Sequence, residues 1–258
     1  MRIARFTTGD NPRYGILDEE TDELIVLKDD PIYGDIAATT GERVKVADVR
    51  LLSPVIPRSK VVAIGRNYAA HAAEMGNEIP EEPVVFLKPN TSVIGPGDPI
   101  VLPPYSREVH HEAELAVVIS RMCKYVPVEK AADVIFGYTA ANDVTARDVQ
   151  KSDVQWTRGK AFDTSCPLGP YIAMDLDVSD LAVRARVDGE LRQDGRTSQL
   201  LYGVPELIAY VSTIFTLLPG DVILTGTPAG VGPIDVGQRV DIEIEGIGTL
   251  SNPVVRRD

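Results

Sequence analysis

The chain has 258 residues, with 26 Lys+Arg against 38 Asp+Glu for a formal charge of −12; 44% of residues are hydrophobic and 25% charged. That length suits one large domain, or one domain with a small appendage, and the apolar content excludes a disordered chain. The acidity argues against a nucleic-acid partner, whose phosphates call for a basic face, and leaves room for a small anionic ligand.

The N-terminus, Met1-Arg2-Ile3-Ala4-Arg5-Phe6, lacks the apolar core of a signal peptide, and no stretch approaches the roughly 20 apolar residues of a membrane span. A cytoplasmic protein with no membrane partner is expected. Residues 1–57 read as a small N-terminal β domain: short strands at 2–6, 13–17 and 23–27 are separated by turn chemistry such as Gly9-Asp10-Asn11-Pro12. Ser53-Pro54-Val55-Ile56-Pro57 stiffens the exit from it and marks the expected boundary, with residues 58–258 as the catalytic part.

Strand signals follow at Lys60–Ile64, Val84–Leu87, Glu114–Ile119, Tyr171–Ala173, Val183–Val187, Val222–Leu224 and Arg239–Ile244, with Asp188-Gly189 as a hairpin turn. Helical stretches are fewer, the clearest being Val128–Ile135 and Pro205–Leu217. The plan is a strand-rich α+β fold, a rolled or sandwiched sheet without a regular βαβ cadence. Two cysteines, Cys123 and Cys166, allow one bridge at most, and without a C-x-x-C spacing a reduced setting is expected. Cys166 reads as a packing residue.

Three segments concentrate chemistry. In Ile64-Gly65-Arg66-Asn67-Tyr68-Ala69-Ala70-His71-Ala72-Ala73-Glu74-Met75-Gly76, Asn67 is a good N-cap and Gly76 a good stop for a short helix. His71 and Glu74 lie three apart on one face of it. A carboxylate beside an imidazole prepares a general base, and the same pair is equally at home as a surface ion pair. A helix this short needs a ligand or a tertiary contact to hold it.

His110-His111-Glu112-Ala113-Glu114-Leu115 begins like a zincin motif, but Leu115 stands where the second imidazole belongs. On a strand Glu112 and Glu114 share a face with Cα atoms about 6.5 Å apart. Such carboxylates either line a solvated edge or share a cation. Gly137-Tyr138-Thr139-Ala140-Ala141 runs into Asn142-Asp143, where either polar residue caps the next helix or Asp143 ends a buried strand in need of a partner.

Six motifs in order, G-R-N-Y-x-x-H-x-x-E, F-L-K-P, H-H-E-x-E-L, D-x-T-A-R-D-V-Q, G-K-x-F-D-T-S-C-P and L-T-G-T-P-x-G-V-G, span about residue 60 to the C-terminus. Together they resemble the fumarylacetoacetate hydrolase family. The similarity is greatest to its acylpyruvate hydrolase/oxaloacetate decarboxylase and 2-hydroxyhepta-2,4-diene-1,7-dioate isomerase branch, and residues 1–57 resemble the small N-terminal domain of some bacterial members. The resemblance implies the family's mixed β-sandwich or roll. It implies that Glu112, Glu114 and Asp143 hold Mg²⁺ or Mn²⁺, hard ions suited to an all-oxygen set. By the same resemblance His71 and Glu74 activate water, Lys160 contacts the substrate near the metal, and Arg147, Gln150 and Thr227 belong to the substrate pocket. His111 is expected to support the site without ligating the ion.

The expected function is metal-dependent chemistry on 2-oxo or 2-hydroxy-enoic acids through a metal-stabilised enolate. C–C hydrolysis of acylpyruvates and decarboxylation of oxaloacetate-like diacids lead, and dienedioate isomerisation in aromatic catabolism is the alternative. A non-catalytic metabolite-binding protein is the alternative of another class. The expected partners are a small anionic oxo acid and a second copy of the chain in a homodimer.

Overall fold

The computed structural model describes residues 1–76 and 78–256. Most of them belong to two large sheets and the loops between. The path of a 12-stranded sheet runs from one edge through Thr39–Lys45, Glu23–Leu27, Arg13–Asp18 and Arg2–Thr7, then Cys166–Ala173, Ile135–Asn142, Ala113–Ile119, Val222–Leu224, Val61–Gly65 and Val84–Lys88. The N-terminal strands join it through Arg2–Thr7, which pairs antiparallel with Cys166–Ala173 in the register Arg2↔Ala173 and Ile3↔Ile172. A five-stranded sheet holds Glu190–Arg196, Ala182–Val187, Arg239–Ile244, Gly248–Val255 and Ile100–Val101.

The strand Ala113–Ile119 shows why the sheets stack. All seven of its side chains are buried, as its unbroken apolar run after Glu114 requires of a central strand. Leu115, Val117 and Ile119 pack into the core that includes Val183, Ala185, Val240 and Ile242 of the five-stranded sheet. Ala116 and Val118 point the other way, into a second cluster with Val61, Ala63, Leu168 and Ile172. This is the rolled and sandwiched strand-rich plan. The Asp188-Gly189 hairpin is also present, both residues at positive φ (50° and 82°), as a two-residue turn between twisted strands demands.

One helical reading is refined and one cap reading changes. Val128–Val134 is helical in the tighter 3-10 form, and its buried residues, Ala131 and Val134, sit three apart, the spacing a three-residue turn puts on one face. The helix at residues 204–214 keeps its α form, with Pro205 in its first turn. Asn67 does not cap the His71 helix, which spans Ala69–Glu74 with Tyr68 as N-cap residue. Buried Asn67 instead donates from Nδ2 to the carbonyls of Tyr202 (3.0 Å) and Thr225 (2.7 Å), and its Oδ1 accepts from the Tyr202 N–H at 2.9 Å. It ties the helix entry to two distant loops. Asn67→Ala leaves those backbone groups unpaired in the interior, and we expect a loss of about 2 kcal/mol in urea unfolding. Among the described residues, no helix is long and apolar enough to cross a membrane, and both cysteines are free.

Candidate active site

Glu112 leaves the short strand Val109–His111, and Glu114 is the second residue of Ala113–Ile119. Asp143 follows the strand Ile135–Asn142, which pairs antiparallel with Ala113–Ile119 and places Asn142 opposite Ala113. The two strand ends therefore bring the three carboxylates together: one oxygen from each lies within 4.8 Å of the others, and all three residues are buried. Neither open reading of the acidic residues survives as an edge or a cap. Glu112 and Glu114 are inside, and Asn142 Oδ1 accepts from the Glu112 N–H at 2.9 Å while the next helix, Arg147–Ser152, starts from Ala146.

Cations gather around the acids. The Lys160 ammonium donates to Glu112 Oε2 at 2.7 Å and to Asp143 Oδ2 at 2.6 Å. Lys88 Nζ donates to Asp143 Oδ1 at 2.7 Å and also to the Lys160 carbonyl, and Arg147 pairs with Glu112 Oε1. Burial alone would push the Glu112 carboxyl up, but Lys160 and Arg147 outweigh it and hold it below the usual carboxylate range. Burial likewise opposes the Lys160 charge, and Asp143 and Glu112 together still raise its pKa.

Glu114 is different. Its Oε2 accepts from the Gly226 N–H at 2.6 Å, yet burial and then the charges of Asp143 and Glu112 push its carboxyl well above the ordinary value. Gly226 is needed here: its φ is +105°, and a Cβ would lie 2.7 Å from Asn67 Cβ.

A divalent ion of the hard kind fits this donor set. It is all oxygen, anionic, buried, and holds an acid that neighbouring negative charge makes hard to ionise. The oxygens already bonded to Lys88, Lys160 and Arg147 each keep lone-pair capacity for a second partner.

The remaining expected residues surround the same cavity of about 380 Å³, which is lined by His71, Arg147, Gln150, Lys160 and Thr227 as well as the three acids. Arg147 donates to Gln150 Oε1 at 2.6 Å. Thr227 Oγ1 accepts from Gln193 Nε2 at 2.8 Å. Glu74 stands behind the cavity wall: His71 Nδ1 lies 3.2 Å from Glu74 Oε2, whose carboxylate also accepts from the Gly230 N–H. The His71 imidazole is buried, so this is no loose surface ion pair.

Sequence reasoning left two members of the site without a role. Lys88 stood inside the F-L-K-P motif, and its signal was a lone ammonium at the end of the apolar strand Val84–Lys88; it is fully buried. Buried Gln193 lies in a polar stretch that gives no hint of it, yet its Oε1 accepts from the Ala113 N–H and contacts His111 Nδ1 at 3.1 Å. His111 is outside the acidic cluster, and burial lowers its pKa to about 4. Burial also pushes the Cys166 thiol up to about 12, consistent with a packing residue.

Residues 60–255 match the family model described as fumarylacetoacetate (FAA) hydrolase C-terminal, and residues 1–54 match one described as Rv2993c-like, N-terminal. Protein Rv2993c of Mycobacterium tuberculosis is 51% identical over 100% of this chain and 99% of its own length. The mitochondrial oxaloacetate tautomerase FAHD2B of Bos taurus is 45% identical, covering 81% of this chain and 70% of the relative. The mitochondrial oxaloacetate decarboxylase of Dictyostelium discoideum is 45% identical, covering 74% and 90%.

Among solved structures, the 5-carboxymethyl-2-hydroxymuconate delta-isomerase of Mycobacterium smegmatis superposes with a TM-score of 0.92 at 51% identity, over 100% of both chains. Fumarylpyruvate hydrolase from Pseudomonas aeruginosa, in complex with Mn²⁺ and pyruvate, gives 0.74 at 36% identity over 81% and 92%. Isomerase, decarboxylase and hydrolase are thus all relatives of this protein, and the family-model match over residues 60–255 means that the chain belongs to the enzymes of the fumarylacetoacetate hydrolase family.

Proposed function

We propose that the protein is a divalent-metal-dependent enzyme that cleaves a C–C bond in small 2-oxo dicarboxylates or acylpyruvates, with Glu112, Glu114 and Asp143 holding Mg²⁺ or Mn²⁺. The observation that carries the reading is the His71–Glu74 pair set at the wall of the cavity that contains the acidic triad. An ion held by the three acids supplies Lewis acidity toward the carboxylate and keto oxygens of a 2-oxo acid.

The chain's own residues do the rest. Glu74 accepts the Nδ1 proton of His71 and so fixes the tautomer that leaves Nε2 as the base. His71 then takes a proton from water as its oxygen adds to the distal carbonyl of an acylpyruvate. When that adduct collapses, the C–C bond breaks, its electron pair stays on C3 of pyruvate, and C3 takes up the proton that His71 had removed from water. Lys160, whose ammonium is buried at the cavity wall, stabilises the negative charge that develops on the 2-oxo oxygen. Arg147 and Gln150 offer the guanidinium and amide donors that orient the substrate carboxylate. An oxaloacetate-like diacid reaches the same enolate by losing CO₂, without His71 acting on water.

A second reading, isomerisation, is favoured by the name of the Mycobacterium smegmatis relative: the same base can move a proton between carbons of an unsaturated 2-hydroxy acid. The deciding experiment incubates the metal-supplemented enzyme in D₂O with acetylpyruvate, oxaloacetate and a 2-hydroxy-dienedioate and identifies products by NMR. Pyruvate formed from acetylpyruvate or oxaloacetate supports cleavage. Deuterium exchange or double-bond migration without any cleavage supports isomerisation and overturns the leading proposal, and binding with neither overturns both.

A further inference from the structure

A second cavity, of about 320 Å³, takes no part in the chemistry above. It lies at the far end of two strands that also frame the active site. Val61–Gly65 and Val222–Leu224 run parallel, with Val222 beside Val61 and Leu224 beside Ala63. Gly65, Arg66 and Thr227, at or beyond their C-terminal ends, line the active-site cavity, whereas Arg58 and Gly220, before their N-terminal ends, line the second one. The five-residue strand separates the two by roughly 15 Å.

The other wall comes from the N-terminal strands. Arg5 and Tyr14 are direct cross-strand partners, so their side chains share a face. Asp30 sits beside them, and its carboxylate is held by two neighbours in the cleft wall: Oδ1 accepts from the Ile32 N–H at 3.0 Å and Oδ2 from the Tyr14 hydroxyl at 3.3 Å. The Arg58 guanidinium lies over the Tyr33 ring, 4.0 Å from its centroid, and the Tyr33 hydroxyl is anchored to the Pro219 carbonyl at 2.8 Å.

Among the described residues, neither Arg5 nor Arg58 makes an ion pair with a carboxylate. In a chain with 38 acidic groups against 26 basic ones, two guanidinium groups converge on one cleft that is lined by a single acid and pair with neither it nor another carboxylate among the described residues. Its single carboxylate, Asp30, leaves the cleft with a net positive charge. The ring of Tyr33 and the side chain of Ile56 flank the two arginines and stay 47% and 52% exposed. That is a polar anchor beside an uncovered apolar surface, in a cavity at the lower end of the small-molecule range.

We propose that this cleft is a second ligand site, for a small organic anion whose oxyanion pairs with Arg5 and Arg58 and whose apolar body covers Tyr33 and Ile56. Guanidinium forks recognise carboxylate and phosphate alike, so the oxyanion is one of these two. The occupant touches both the N-terminal strands and the segment that leads into Val61–Gly65. Its binding therefore fastens one to the other and raises the unfolding temperature.

The probes are benzoate and phenyl phosphate, titrated by calorimetry into the full chain and into an Arg5→Gln/Arg58→Gln double variant. Any binding at the active site is common to both proteins, so the difference between them reports the cleft. One probe is expected to bind the parent saturably, with an affinity at least about tenfold lower in the double variant and turnover unchanged. The tighter probe identifies the oxyanion. Arg58→Gln alone, at an exposed position, is the companion variant and weakens binding severalfold even if the double variant folds poorly. Saturable binding by neither probe, or equal binding by parent and variants, overturns the proposal.

Discussion

Glu114→Gln abolishes divalent-metal binding and lowers turnover by about 10³-fold, while the metal-free protein stays at least as stable as the parent. The substitution keeps the shape of the side chain and removes one of three carboxylates packed within 4.8 Å. Glu114 is the acid that gains most from an added cation, because among the described residues its carboxylate accepts a hydrogen bond only from the Gly226 N–H and its neighbours Asp143 and Glu112 repel it. The pH dependence has a definite sign. With its folded-state pKa raised above the ordinary 4.5, Glu114 holds a proton in the folded chain that it has lost in the unfolded one. Its favourable contribution is complete below pH 4.5 and disappears as the pH climbs through the raised folded value.

The metal-free parent therefore loses stability over that window, and Glu114→Gln lacks this part of the slope. Metal binding by the parent displaces the proton and strengthens with pH. Urea unfolding in the presence of a chelator across pH, with elemental analysis of the bound metal, checks each statement. A Glu114→Gln protein with the parent's metal content and turnover sinks the metal assignment.

His71→Ala lowers acylpyruvate hydrolysis by about 10²- to 10⁴-fold, the range expected for loss of a positioned general base, and leaves metal content unchanged. The imidazole is buried at the cavity wall and touches none of the three acids by hydrogen bond, so its removal spares the ion. Glu74→Gln acts through His71 by weakening control of the tautomer, with a smaller loss of about tenfold to a hundredfold. A comparison of substrates tests the role more sharply than the size of the loss. Decarboxylation of an oxaloacetate-like diacid needs no activated water and should fall far less than hydrolysis in His71→Ala. Equal losses on both substrates would move His71 from water activation to substrate binding, and unchanged hydrolysis would remove it from the mechanism.

The same contrast between local and distant information runs through the fold. Strands with alternating or unbroken apolar runs, such as Arg239–Ile244 and Ala113–Ile119, were legible because the pleat places successive side chains on opposite faces whatever the neighbours are. Asp188-Gly189 was legible because a positive φ is a property of the residue itself. Val128–Val134 was legible as helical but not in its 3-10 form: its apolar spacing satisfies either helix, and only packing of Ala131 and Val134 selects the tighter one. Asn67 looked like a cap because a cap is the local use of an asparagine. Its actual partners, Tyr202 and Thr225, lie far along the chain.

By itself the sequence determined the family of this protein and which acidic and basic side chains it brings to the candidate site. The order of the motifs, the paired spacing of Glu112 and Glu114, and the three-residue step from His71 to Glu74 are local and survive any folding of the rest. Only the tertiary structure decided the charge state of those side chains. Lys88 reaches Asp143 across 55 positions, Lys160 reaches Glu112 across 48, and Gly226 meets Glu114 across 112. Coulomb energies and burial depend on distance through space, so an acid that spacing marks only as acidic becomes a paired anion at Glu112 and a carboxyl reluctant to ionise at Glu114.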